Sequence, residues 1–354
     1  GQGALMANTT ASNNTAVGNS AMTANTTGDS NVAVGTNALD ANTTASYNIA
    51  IGRDALGVNT TGASNIAIGH EALDANTTAS NNTGIGYMAL SANTTGSDSN
   101  AFGSGALAAN TTGGDNNAFG KQAMTSNTTG SSNSAFGHAA LDANTTASNN
   151  SAFGAGALGA NTTGAQNTAL GGRALQANTT AANNTAVGYD AMYSNTTGTE
   201  NTAVGRDALA AATTASQNTA VGYDALAVST TGEANTAVGA YTLDAITTAN
   251  NNTAIGKNAG GLITTGNQNT MLGQNSGDRL TTGAYNVCVG AEADTSSATS
   301  EGEIVIGRSV AGGGNNTVRF GQDTGKATLS LDGTDTSWAA TSDVRLKENI
   351  KDSS

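Results

Sequence analysis

A glycine stands at residue 1 and at every seventeenth residue after it through Gly307, without insertion or deletion. That unbroken register constrains the fold more than any other feature. The low content of large apolar residues and the net charge of −13 would by themselves suggest a disordered chain. A disordered chain has no reason to hold one register over its length. A solenoid does, because each repeat must stack on the next. With the glycine as position 0, each unit runs to position 16, and its most regular part is a segment such as Asn201-Thr202-Ala203-Val204 before Gly205.

Position 16 reads Val17, Val34, three Ile through Ile85, then Phe102, Phe119, Phe136 and Phe153, then Leu170 and a run of Val. Like sits beside like, as expected if residues seventeen apart touch in coils about 4.8 Å apart. The pattern predicts a short parallel strand over positions 13–16, with position 16 pointing inward. Position 13 is Asn from Asn14 to Asn286, with Ser99 the exception. It predicts an asparagine ladder that closes a turn, since a ligand site is not usually copied in every coil.

Positions 8 and 9 are Thr-Thr, and position 10 alternates between Ala and Gly (Ala11, Gly28, Ala45, Gly62), slipping at Gly113 and Gly283. The alternation implies a repeat that spread as a 34-residue pair. Long threonine ladders raise ice binding. However, adjacent threonines in an extended segment point to opposite faces, so only one ladder can meet solvent. Positions 3 and 4 are mostly Ala-Leu or Ala-Met. Position 7 is Asn through Asn195 and then becomes Ala212, Ser229, Ile246, Ile263 and Leu280, while position 4 loses its bulk at Gly260 and Gly277. The apolar anchor thus migrates from position 4 to position 7, a spacing that shares one face of a helical turn. Acidic residues at position 2, such as Asp54 and Glu71, suit a first helical turn. A short helical turn after each glycine is expected, with a second strand as the alternative. Asn8-Thr9-Thr10 and its copies match the glycosylation sequon, but a position that accepts Ile and Leu is expected to point inward.

Positions 1, 2, 5, 11 and 12 carry most of the charges and all seven Tyr, and read as the solvent face. His70 and His138 both sit at position 1, four coils apart, roughly 19 Å, too far for one metal site. There is no phosphate loop, zinc spacing or calcium-binding nonapeptide, so no cofactor and no metal are expected. The acidic balance speaks against nucleic acid as a partner, and no run is apolar enough for membrane insertion. Cys288, the only cysteine, falls at position 15, otherwise mostly Ala, and reads as a small buried side chain. The absence of proline suits a backbone whose N–H groups are used in ladders. The chain opens on Gly1 in register, which points to a fragment or a processed product. Roughly two large apolar residues per coil give little burial against an ordering cost of about 1–2 kcal/mol per residue, and burial against copies of itself is the natural remedy.

The repeat decays after Gly290. Asn316–Gly321 and Ala327–Leu331 read as strands, with Asp332-Gly333 as a turn. The chain then reads Ser342-Asp343-Val344-Arg345-Leu346-Lys347-Glu348-Asn349-Ile350. This resembles the opening motif of the intramolecular chaperone domain at the C-terminus of endosialidase tailspikes and many phage tail fibres. The resemblance implies a domain that assembles a trimer and then releases itself by cleavage after the serine. Ser342 would be the nucleophile and Lys347 the base, a chemically reasonable pairing. Enzymatic activity is limited to this single-turnover self-cleavage, and it requires the full chaperone domain, of which only the start is present. The bland reading of the same stretch is a charged helix start with a Ser cap. The Asn-x-Ala-Val/Ile-Gly units also resemble the head repeats of trimeric autotransporter adhesins of the YadA type, which form parallel β-rolls in trimers. Here the coil is seventeen residues against about fourteen, and the Ala-Leu-x-x-Asn-Thr-Thr stretch is an addition.

The expected fold class is mainly β: an elongated parallel β-solenoid of 17-residue coils assembled as a homotrimer. Residues 1–307 form the shaft, 308–341 a short β-rich segment and 342–354 the start of the chaperone domain. Eighteen coils at about 4.8 Å give roughly 85 Å of shaft. The expected function is that of a structural fibre, the shaft of a viral tail fibre involved in host attachment, located on the virion and extracellular. Its partner would be itself, with a host-surface receptor, glycan among the options, met through other parts of the fibre. The alternative is a bacterial surface adhesin or extracellular fibril.

Overall fold

The seventeen-residue period is realised as stacked coils. The computed structural model describes residues 1–322, 324–331 and 339–340, and the chain divides into two compact units, Gly1–Asp190 and Ala191–Ser354. Each coil contributes one three-residue strand at positions 14–16, running in the first unit from β1 (Thr15–Val17) to β11 (Thr185–Val187). In the second unit the same strands run from β12 (Thr202–Val204) to β18 (Ile304–Ile306). Within each unit neighbouring strands pair in parallel with a shift of one period, so that Val17 lies opposite Val34 and Val221 opposite Val238. The fold is a parallel β-solenoid of 17-residue coils, as the glycine register predicts.

Side chains along the strand point the other way from the expectation. Position 15, not 16, faces inward: Ala33, Ala50 and their counterparts are fully buried. Position 16 faces out, with Val17 56% and Leu170 49% exposed. The reason is the width of the coil. A Cβ built on Gly84, at position 15, would lie 3.4 Å from Leu73 Cγ. The strand therefore packs directly on the leucine of position 4, and only a small side chain fits between. Cys288 occupies this column and is buried, as expected. The like-beside-like order of position 16 survives on the outer surface. Phe102, Phe119, Phe136 and Phe153 stack with ring centroids 4.6, 4.6 and 4.8 Å apart.

The stretch after each glycine is not a helical turn, and no helix occurs among the described residues. In the coil that begins at Gly35, Asn37 and Leu39 hold φ of 56° and 53°, which no right-handed helix allows. A helix keeps its N–H bonds within one segment, whereas this stretch sends its donors mainly to adjacent coils. Asn37 N–H donates to Asn19 O at 3.0 Å in the preceding coil, and Leu39 N–H to Ala55 O at 3.0 Å in the following one. A left-handed leucine costs about 1–2 kcal/mol. Burying its side chain completely, as at Leu39, returns about 1.5–3 kcal/mol, so burial outweighs strain. The glycine column has a separate cause: Gly103 has φ +137° and a Cβ there would come within 2.5 Å of Gly120 O.

Two asparagine columns complete the interior. At position 13, Asn48 N–H donates to Asn31 Oδ1 at 2.9 Å, and Asn48 Nδ2 donates to Gly62 O at 3.0 Å. This is the predicted ladder, with the amides bonding mainly to backbone and only some bonding to each other, as between Asn65 Nδ2 and Asn48 Oδ1 at 3.3 Å. Position 7 forms a second ladder in the first unit. Asn42 Nδ2 donates to Asn25 Oδ1 at 2.8 Å and to Ala45 O at 3.0 Å. In the second unit this column becomes apolar, and Ile246, Ile263 and Leu280 are fully buried. The predicted migration of bulk is in part a volume exchange: a Cβ on Gly260 would lie 3.0 Å from Ile263 Cδ1 of position 7, whereas the space at Gly277 is taken by Met271 of position 15, whose Sδ would lie 2.2 Å from a Cβ there.

Position 10 is buried as well, and no two adjacent coils both carry Ala there. A Cβ on Gly28 would approach Ala45 O to 2.2 Å and Asn25 Oδ1 to 2.6 Å. Coils bearing glycine at this corner close too tightly on the next coil to hold a methyl group.

The stack ends in a hairpin. β18 pairs in parallel with β19 (Thr317–Gln322), Ile304 opposite Val318, a coil shortened to fourteen residues. β19 pairs antiparallel with β20 (Gly325–Ser330), and β20 with β21 (Ala339–Ala340). The two strands expected here are thus present, while Asp332-Gly333 lies outside the described residues. Glu303 takes the last place in the position-13 ladder and is fully buried. Its carboxylate accepts bonds from Ser296 N–H at 2.8 Å and Gly314 N–H at 3.1 Å.

Candidate functional site

The coil register brings side chains of adjacent coils into columns, and columns 1 and 2 gather the most ionisable chemistry. Arg53, Asp54, His70, Glu71 and Tyr87 lie on three successive coils. Arg53 Nη1 is 3.5 Å from Asp54 Oδ2, Arg53 Nη2 is 3.6 Å from Glu71 Oε1, and His70 Nδ1 is 3.6 Å from Glu71 Oε2. The His70 ring stacks on Tyr87 with centroids 5.6 Å apart.

One histidine and two carboxylates with ligand atoms within 4.8 Å of one another have the composition of a metal site. The hydrogen bonds decide against it. Arg53 Nε donates to His70 Nε2 at 2.8 Å, and Arg53 Nη2 also touches that nitrogen. That ring nitrogen is therefore already engaged by the guanidinium. The guanidinium reaches the imidazole and both carboxylates where a cation would bind, and offsets one of the two carboxylate charges. Sequence reasoning compared the two histidines with each other and missed this cluster. The signal that reveals it is the period, since Arg53 and His70, like Asp54 and Glu71, are seventeen residues apart. His138 is exposed.

Beside the cluster is a shallow groove of about 240 Å³ lined by Asn37, Asp40, Asp54, Gly57, Val58 and Asp74. Partial burial raises the carboxyl pKa of Asp40 and of Asp74 above the ordinary value, and at Asp74 the neighbouring Glu71 and Asp54 add to it. Tyrosine is also clustered by the register. Arg173 lies over the Tyr189 ring at 4.8 Å in the first unit, and in the second Tyr223 meets Tyr241 edge-on at 5.2 Å.

The remaining candidate motifs are placed as follows. The sequon asparagines of the inner coils, such as Asn42 and Asn59, are fully buried in the position-7 ladder. One threonine ladder meets solvent, as expected. Position 8 is half-buried and Thr26 Oγ1 donates to Thr43 O at 2.9 Å, whereas position 9, as at Thr27 and Thr44, is exposed. Ser342 and Lys347 lie outside the described residues. No helix among the described residues is long and apolar enough to cross a membrane.

The outer face of the strands is the other extended surface. It consists of positions 14 and 16, and neither column contains a charged residue in any coil from Thr15 to Ile306. In the first unit Ile51, Phe153 and Leu170 are exposed on it, and in the second Val204, Ile255 and Leu272. Such a face, ladder after ladder with apolar side chains in solvent, is unusual for a chain that works alone. Comparison of the chain with known protein families, with curated proteins and with solved structures finds no match.

Proposed function

We propose that the chain is a structural fibre protein, the shaft of a homotrimeric tail fibre of the viral kind, extracellular and concerned with host attachment. The observation that carries this reading is the distribution of bulk. In most coils a single large apolar side chain, the Leu or Met of position 4, is buried inside, while the second, at position 16, is left on the surface. Each coil is therefore undersupplied with core when taken alone, and a partner that covers position 16 supplies the missing burial. The described residues otherwise offer ladders, turns and an arginine-bridged ion cluster, an inventory suited to a scaffold. In this reading receptor contact is made by other parts of the fibre. Ser342 and Lys347 would serve one self-cleavage event, and only where a complete chaperone domain follows.

Light scattering coupled to small-angle X-ray scattering of the 354-residue chain tests the proposal. The expected result is a particle of three chains with a rod-like cross-section. A globular monomer refutes it.

A further inference from the structure

The outer strand face carries a more specific consequence, which rests on the fibre reading above. We infer that positions 14 and 16 form the surface on which copies of this chain pack against each other, parallel and in register, with the Phe102–Phe153 block as its tightest section.

Three observations lead to this. The first is charge. The chain carries −13 overall, and its charged groups lie mainly at positions 1, 2, 5, 11 and 12, so two copies repel one another across those faces. The face formed by positions 14 and 16 is uncharged in every coil and is flanked by the charged columns 12, 1 and 2. The position-16 column is apolar throughout, beside the uncharged, mostly polar column 14 and within a charged rim, and an apolar stripe with a polar rim is the anatomy of a protein interface.

The second is period. A partner of arbitrary shape would meet this face at a few points. A partner with the same coil rise meets it in every coil, and a second copy has that rise by construction. The third is order along the column. Position 16 is not uniform: Ile51 and Ile68 give way to four Phe, then Leu170 and Val187. Parallel copies in register place each Phe level against the same level of the partner. An antiparallel or shifted copy sets some of the stacked rings against the small Thr and Val levels and leaves gaps. The aromatic block thus favours one register over those displaced by a few coils, as bulky knobs do in other repetitive interfaces.

Cysteine scanning of the full 354-residue chain tests this directly, because Cys288 is buried and stays silent. Thr168→Cys in the first unit and Thr253→Cys in the second place a thiol at exposed position 14. In-register parallel copies bring identical residues together, so both variants are expected to form covalent dimers under mild oxidation. Thr163→Cys and Thr248→Cys, exposed at position 9 of the same coils, are expected to form at least tenfold less. In a second measurement, Phe119→Glu is expected to lower the particle mass to about one-third of wild type with an unchanged circular dichroism spectrum, while Tyr87→Glu leaves the mass intact. If the wild type is oligomeric but position 9 cross-links as well as position 14, or Phe119→Glu remains fully assembled, the assigned face is wrong and the fibre reading stands. If the wild type is monomeric at all concentrations, the fibre reading falls and the face falls with it.

Discussion

Asn150 lies in the middle of the position-13 ladder of the first unit and is fully buried. Its Oδ1 accepts the Asn167 backbone N–H at 2.9 Å and Asn167 Nδ2 at 3.3 Å, and its Nδ2 donates to Gly164 O at 2.9 Å. Asn150→Ala removes all three bonds, but the partners are left in different states. Gly164 O still accepts from Asn161 Nδ2 at 2.9 Å, and Asn167 Nδ2 still donates to Ala181 O at 2.9 Å. The backbone N–H of Asn167 loses its acceptor inside the coil. An orphaned buried donor costs about 1–3 kcal/mol, and two further bonds lost from still-partnered groups cost about 0.5–1.5 kcal/mol each. The sum is about 2–6 kcal/mol. Ser99 is a natural guide to partial rescue, since its Oγ accepts the Asn116 N–H at 3.2 Å. Asn150→Ser retains that acceptor and loses only the two bonds from still-partnered groups, so it is expected to cost about 1–3 kcal/mol. Urea unfolding followed by circular dichroism gives the energies, and hydrogen exchange over residues 150–170 shows whether the Asn167 amide is the group released. The reasoning is refuted if Asn150→Ala behaves like Thr146→Ala at exposed position 9, or if serine costs as much as alanine.

Gly103→Ala places a methyl group 2.5 Å from Gly120 O at φ +137°, and is expected to destabilise by about 3 kcal/mol or more, read as a lowered melting temperature or lost soluble yield. Gly277→Leu should be severely destabilising alone because of Met271 Sδ. Combined with Met271→Ala it should recover, and a double-mutant cycle is expected to give a coupling of about 1–3 kcal/mol, with additivity as the refuting result. Asp294 is almost fully buried, with Arg279 Nε 3.3 Å from its Oδ2. Burial chiefly, with Asp278 adding to it, pushes its carboxyl up to about 6, against about 3.9 in an unfolded chain. In that window the folded state holds the proton and the unfolded state does not. Stability is therefore expected to fall by up to about 3 kcal/mol as pH rises from about 4 to 6. Asp294→Asn should remove this slope from urea titrations across that range, and an unchanged slope would assign it to other groups.

The period, the Asn14–Asn286 ladder and the buried role of Cys288 are all legible in the sequence, because each is a column that repeats with one residue type. The direction of the strand is not. Three residues such as Thr202-Ala203-Val204 alternate faces, and hydropathy favours placing Val inside, but where position 4 holds Leu or Met the narrow coil leaves room only for Ala or Gly, and larger residues enter the column only beside Gly260, Gly277 or Asp294. The left-handed Leu39 leaves no local signal either, since isolated leucine avoids that conformation. Bonds to the coils on either side impose it, and a helix-like spacing between positions 4 and 7 then arises without a helix. The ion cluster is legible once Arg53 and His70 are read one period apart. The exposed outer face becomes visible only after positions 15 and 16 have been assigned to opposite sides.

The alternation at position 10 sets a rule for how such a chain can change length. Excising the single coil 52–68, which holds Gly62, would set Ala45 directly against Ala79, two methyl groups at a corner that accepts one in every two coils. Excising 52–85 removes one Gly coil and one Ala coil and restores the original neighbours. Loss of a single Gly coil between two Ala coils is therefore disfavoured, whereas loss of a single Ala coil leaves two Gly corners side by side, an arrangement the chain already holds at Gly96-Gly113-Gly130 and at Gly266-Gly283.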